Sequence, residues 1–89
     1  MVWKVELSPA ADRELEKLDP KNAKPILKFL SGRLASLENP RSIGQALQGQ
    51  RFGEFWKYRV GDYRIVAKIE GARLLILVLR VGHRREIYR

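Results

Sequence analysis

The sequence contains no cysteine, a single histidine and no long apolar run. The absence of cysteine excludes a disulfide scaffold and any thiolate metal site. A lone histidine, His83, also excludes a site built from several imidazoles, so we expect neither a metal nor another cofactor. The longest apolar run, 74–79, is six residues long, whereas a membrane span needs roughly 18–20. Because the N-terminus also lacks the features of a signal peptide, we expect a cytoplasmic protein.

Acidic side chains are scarce in the second half of the chain. Residues 1–38 carry seven basic and six acidic groups, whereas residues 39–89 carry eleven basic and four acidic groups. The formal net charge of +8 is therefore concentrated in the second half. Such segregation indicates an anionic partner, of which nucleic acid is the commonest and an acidic protein the next.

The first half of the sequence predicts one strand followed by two helices, within a single domain of residues 1–89. Alternation over residues 2–7 predicts a strand with Val5 and Leu7 inward. Ser8-Pro9 and Asp19-Pro20 each combine a capping side chain with a proline, which is typical of a helix start. We expect the first helix to bury Ala11, Leu15 and Leu18, and the second, ending at Asn39-Pro40, to bury Ile26, Leu27, Leu30, Leu34 and Leu37.

The second half predicts three strands after a polar loop over residues 39–50. Residues 55–60 and 63–69 alternate on either side of Gly61-Asp62, which predicts a tight hairpin. Residues 73–81 form the most apolar strand, expected inside the sheet and broken by Gly82. The predicted order is β-α-α-β-β-β, an α+β fold with a helical hairpin on one face of a twisted, mostly antiparallel sheet.

The other face of this sheet is predicted to be basic. Lys57 and Arg59 are two residues apart on one strand, so their side chains leave the same face about 6–7 Å apart. Arg64 follows the hairpin turn, and Arg84 and Tyr88 follow the last strand. The surface is either an ordinary solvated face or a phosphate-binding site. Trp56 and Tyr58 alternate with the basic residues and are expected to pack under the helices, and Trp3 to lie in the core or at its rim.

A phosphate site of this composition is suited to RNA cleavage by the neighbouring 2′-hydroxyl. Arginine forks match the oxygens of a five-coordinate phosphorus. The reaction also needs a base and an acid, for which Lys57 and Tyr88 are candidates because surrounding positive charge favours neutral lysine and the phenolate. His83 is a candidate acid or base-stacking group, and otherwise a plain surface residue. Glu54 and Glu86 are candidate bases, and otherwise partners in surface salt bridges.

Three segments together resemble the RelE/ParE superfamily of toxins from bacterial type II toxin–antitoxin modules. They are residues 7–11 (LSPAA), residues 55–65 (FWKYRVGDYRI) and residues 81–88 (VGHRREIY), in the family's order and over nearly the whole chain. The resemblance implies a RelE-like fold. Its RelE-like members are ribosome-dependent endoribonucleases that cut messenger RNA, whereas its ParE-like members inhibit DNA gyrase without catalysis.

The resemblance implies catalytic roles for a basic cluster and a terminal tyrosine. Carried over by position, these are Lys57, Arg59, Arg64, Arg84 and Tyr88. Arg59 stands where some members have a second lysine, and arginine is a poor proton donor, so His83 is a possible replacement for the acid. We expect Lys57, Arg59 and Arg85 also to bind the RNA substrate.

The retained tyrosine and the full basic set favour the RNA-cleaving branch over the gyrase branch. The resemblance also implies an acidic antitoxin as partner, with the ribosome and mRNA as targets and promoter DNA bound through the antitoxin. A chain that binds only its antitoxin, without toxicity, is a third possibility.

Overall fold

A five-stranded mixed sheet forms one layer of the fold. The computed structural model describes residues 3–47 and 54–87, with strands β1 Lys4–Leu7, β2 Gln45–Ala46, β3 Phe55–Val60, β4 Tyr63–Glu70 and β5 Leu75–His83. Their order across the sheet is β1-β5-β4-β3-β2, with β1 parallel to β5 and the other neighbours antiparallel. The expected α+β fold and mostly antiparallel sheet are confirmed.

Two helices pack on one face of this sheet. Helix α1, Pro9–Lys17, begins as its sequence predicts, because the Ser8 hydroxyl accepts a hydrogen bond from the Ala11 N–H (3.1 Å). Ser8 Oγ also donates to the Leu79 carbonyl on β5 (3.0 Å), which ties the helix start to the sheet. Helix α2, Pro20–Lys28, begins at its proline, but the Asp19 side chain makes no capping hydrogen bond.

Helix α2 continues into a wider π-helical segment, Phe29–Leu34. Ile26, Leu30 and Leu34 form a single buried row against the sheet. Leu27 was expected in this row but is 46% exposed, so that expectation is wrong. Leu27 lies about 100° around the helix from Ile26, and one buried row does not reach that far. Leu37 is half-buried against the core.

A bulge in β5 sets which of its side chains enter the core. Val66 pairs with Arg80 and Ala67 pairs with Val78, so Leu79 is the extra residue. The bulge lets Val78 and Val81 face the helices together, although they are three positions apart in the strand. They join a core that also contains Trp3, Ala11, Leu15, Tyr58, Ile65, Ala67, Ile69 and Ile76.

Five local features differ from the sequence prediction. The expected loop 39–50 contains a 3₁₀ turn, Pro40–Ser42, and the two-residue strand β2. A second 3₁₀ turn, Gly71–Arg73, delays β5, and the strand then passes through Gly82 rather than breaking there. The segment after β5 forms a short helix, α3, Arg84–Ile87. In the described part of the chain, every helix is too short or too polar to cross a membrane.

Candidate functional site

The β3–β4 hairpin places two arginines directly opposite each other. Gly61 has φ +60° and Asp62 does not have a positive φ, which is the pattern of a two-residue type II′ turn with glycine first. This turn fixes the register in which Arg59 faces Arg64, and Cβ atoms in such a pair lie about 4.5–5.5 Å apart. Like charges in this position are destabilising. Within residues 3–47 and 54–85, neither arginine forms an ion pair.

Lys57 extends this pair along β3 on the same face of the sheet. It lies two residues before Arg59 and pairs with Gln45 of β2 on one side and Val66 of β4 on the other. We call Lys57, Arg59 and Arg64 the basic cluster. All three line a shallow pocket of about 510 Å³, whose other walls are Gly44, Gln45 and Tyr58. The structure therefore brings together three of the residues that the sequence singled out.

Arg64 is held in place by its own hairpin turn. Its Nη1 atom donates to the carbonyl oxygens of Gly61 (3.3 Å) and Tyr63 (3.2 Å). Both bonds come from Nη1. A guanidinium has five N–H donors, so others remain available to a ligand. The side chain is thus oriented before any anion binds, which is the arrangement expected of an electrostatic catalyst.

The segment after β5 lies beside the same turn. Arg64 pairs with Gly82, and the Arg84 N–H donates to the Asp62 carbonyl (2.9 Å). Gly82 has no side chain, so nothing from β5 projects over the sheet beside Arg64. The hydrogen bond from Arg84 to Asp62 anchors the start of α3 next to the basic cluster. Arg84 and Arg85 are both exposed in that helix. Tyr88 lies outside the described residues, and its proposed role stays a prediction.

His83 lies on the other face of the sheet. It pairs with Tyr63, and the two rings meet edge to face with centroids 5.7 Å apart. Strand alternation puts Tyr63 on the helix face, whereas Arg64 faces the opposite side. His83 lines a second pocket, of about 500 Å³, with Glu14 and Lys17 of α1. The structure does not place the imidazole with the basic cluster.

Glu54, the first of the two candidate carboxylates, is not part of the basic cluster. Glu54 is exposed and precedes β3 by one residue, so it lies about 16 Å along the strand from Arg59. Glu86 belongs to α3, but its side chain lies outside the described residues.

The buried tyrosine beneath the cluster is a structural group. Tyr58 packs against Phe29, and its hydroxyl donates to the Pro40 carbonyl (2.6 Å). Burial raises the pKa of this phenol well above its usual value, although the nearby Arg41 acts in the opposite direction. Tyr58 therefore keeps its proton near neutral pH and is unsuited to act as a general base. The expectations that Trp56, Tyr58 and Trp3 pack in or against the core are confirmed.

The sequence did not single out Gly44, which precedes β3 and forms one wall of the pocket. Gly44 has φ +77°, and a Cβ there would lie 2.4 Å from the Lys57 carbonyl oxygen. The chain passes this close to β3 because Trp56 Nε1 donates to the Ile43 carbonyl (2.7 Å). A glycine within a polar loop was the available signal, and it marks a close backbone approach.

Similarity to known proteins shows the class of protein to which this chain belongs. A family model described as the ParE toxin of the type II toxin–antitoxin system parDE matches residues 5–88. Toxin RelG of Mycobacterium tuberculosis is 33% identical over 89 residues, covering 100% of this chain and 99% of that protein. Toxin RelE of the same organism is 30% identical, covering 98% of this chain and 87% of that protein.

Solved structures agree with this assignment. A chain of the toxin–antitoxin complex RelBE2 from M. tuberculosis has a TM-score of 0.81 at 27% identity, with 94% of this chain and all of that chain covered. The isolated E. coli RelE toxin shares the fold, with a TM-score of 0.72 at 22% identity over 97% of this chain and 90% of that one. The chain is a small toxin of the type II toxin–antitoxin class. It belongs to the RelE/ParE superfamily.

Proposed function

We propose that this toxin is a ribosome-dependent endoribonuclease that cleaves mRNA and thereby inhibits translation. The observation that carries the proposal is the Arg59–Arg64 pair, two like charges opposed on an open sheet face without a described counter-ion. Such a pair costs stability in the free protein and gains an electrostatic partner when a phosphate binds between the forks. Similarity to toxins named RelG and RelE supports this choice.

The proposed reaction is attack of a 2′-hydroxyl on the adjacent phosphorus. The 2′-oxygen loses its proton as it bonds to phosphorus, and the bond to the 5′-oxygen breaks, leaving a 2′,3′-cyclic phosphate and a 5′-hydroxyl. Arg64 and Arg84 stabilise the negative charge of the five-coordinate phosphorus. Lys57 or Tyr88, in its deprotonated form, accepts the proton of the 2′-hydroxyl. The leaving 5′-oxygen accepts hydrogen bonds from Arg59 and takes its proton from water. We assign His83 no part in this proton transfer, because its imidazole lies on the other face of the sheet.

The charge distribution supports an acidic protein partner, whereas binding of promoter DNA is implied by the family alone. We propose that an acidic antitoxin neutralises the basic half of the chain, and that promoter DNA is bound through the antitoxin. Structural relatives are components of complexes with antitoxins, RelBE2 of M. tuberculosis among them. The cytoplasm is the compartment in which ribosomes and mRNA are available.

Cleavage of mRNA on programmed ribosomes tests the proposal. Arg64→Ala removes one preorganised donor and should slow cleavage about 10²–10³-fold. Lys68→Ala is the matched control, since it removes one positive charge from the same face of β4, about 13 Å from Arg64. Equal cleavage rates for Arg64→Ala and wild type would refute the assigned site.

Gyrase inhibition is the second candidate, because the matching family model is that of a ParE toxin. The same preparation is therefore incubated with gyrase and relaxed plasmid. Inhibited supercoiling without cleaved mRNA would favour the gyrase branch. Cleaved mRNA with normal supercoiling would favour the nuclease.

A further inference from the structure

His83 occupies the position of an N-cap residue. It is the last residue of β5, and α3 begins at Arg84. Its Nδ1 atom accepts a hydrogen bond from the backbone N–H of Arg85 (3.2 Å). Arg85 is the second residue of the helix, and an N-cap side chain typically accepts from the second or third N–H.

Helix α3 needs such a cap more than an ordinary helix does. It has four residues, and a helix this short is not stable alone. Arg84 and Arg85 also put two positive charges at the end of the helix where the dipole disfavours them. Two described hydrogen bonds fix its start, from the Arg84 N–H to the Asp62 carbonyl and from the Arg85 N–H to His83.

The ring of His83 is itself held in place. Its edge-to-face contact with Tyr63, with an interplanar angle of 81°, orients the imidazole on the helix face. An Nδ1 atom that accepts a hydrogen bond carries no proton, so the ring proton of the neutral form lies on Nε2. Glu14, Lys17 and Arg80 are the charged side chains that line the same pocket.

We infer that His83 is a positioning residue, which caps α3 through Nδ1 and thereby holds Arg84 and Arg85 beside the basic cluster. Its effect on RNA cleavage rests on the proposed function, but the cap itself does not. The inference replaces the roles of acid and base-stacking group that the sequence suggested for this histidine. It also gives a positioning role in the site to an imidazole that lies on the opposite face of the sheet.

Two substitutions of His83 test the capping hydrogen bond and the aromatic contact separately. His83→Asn keeps a side-chain acceptor and discards the ring and any proton transfer by it. His83→Phe keeps an aromatic ring against Tyr63 and discards the acceptor. Loss of an N-cap shifts a helix–coil equilibrium about fivefold. We therefore expect the helix–coil equilibrium constant of residues 84–87 to fall about fivefold in His83→Phe and to stay within about twofold of wild type in His83→Asn.

Backbone chemical shifts measure this equilibrium, and the imidazole nitrogen shifts of wild type report whether Nδ1 is unprotonated. Cleavage on programmed ribosomes should follow the same order, with His83→Asn close to wild type and His83→Phe slower by up to about fivefold. Thermal unfolding of both variants is the control for an intact core.

The outcomes distinguish this inference from the proposed function. An unchanged helical population in His83→Phe would overturn the cap, whether or not the protein cuts RNA. A helix retained in His83→Asn together with lost cleavage would overturn the positioning role and assign proton transfer to the imidazole. A wild-type protein that does not cut RNA but shows the expected shifts would retain the cap and remove the proposed function.

Discussion

Replacing Arg59 by glutamine is expected to stabilise the toxin while it impairs cleavage. Arg59 is exposed, and its β4 partner is Arg64. Two unit charges about 5–8 Å apart in a medium of water's dielectric constant repel each other by about 0.5–0.8 kcal/mol. Arg59→Gln removes this repulsion and leaves the hydrogen bonds of Arg64 to its turn in place. Arg59 is the better choice for this reason, since truncating Arg64 would remove stabilising bonds as well.

The gain should be visible in urea denaturation and should depend on salt. A gain of about 0.5–0.8 kcal/mol corresponds to a rise in Tm of roughly 2–6 °C for a domain of this size. The Debye length falls from about 8 Å at 0.15 M ionic strength to about 3 Å at 1 M, so most of the gain should disappear at the higher concentration. Lys68→Gln, which removes a charge elsewhere on β4, should show no comparable gain. Destabilisation by Arg59→Gln at low salt would refute the predicted repulsion between Arg59 and Arg64.

Two further substitutions test how the site is supported. Gly44→Ala should destabilise the protein by more than about 1 kcal/mol in urea denaturation, because the new Cβ meets the Lys57 carbonyl oxygen and the left-handed φ is strained; a neutral effect would mean that this close approach is absent. Glu14→Ala should cost about 1–3 kcal/mol, because the Val81 N–H and Arg80 lose the carboxylate that accepts from both. Glu14→Gln keeps an acceptor and should cost less, and equal losses in the two variants would contradict this assignment.

The hairpin was predictable from sequence because its determinants are local. Gly61-Asp62 sets a two-residue turn, and the turn sets the register that opposes Arg59 and Arg64. The start of α1 was equally local, since Ser8-Pro9 supplies both a cap and a fixed φ. The basic cluster follows from these short-range rules, and its charges are read directly from the sequence.

The features that could not be predicted depend on contacts distant in sequence. The exposure of Leu27 depends on how α2 sits on the sheet. The strand β2 exists because residues 45–46 meet β3, and nothing in those two residues favours a strand. The bulge at Leu79 is tied to Ser8, seventy-one residues earlier. Its presence sets the faces of β5, so periodicity alone did not assign the face of His83.

The most direct test of the central claim uses one chemical change in the substrate. An mRNA on programmed ribosomes is first cut by wild-type toxin to locate the scissile phosphate. The same mRNA is then made with a single 2′-deoxynucleotide on the 5′ side of that phosphate. We predict cleavage of the all-ribose mRNA, with 2′,3′-cyclic phosphate and 5′-hydroxyl ends, and none at the substituted position. Equal cleavage of both, or no cleavage of either, would contradict it.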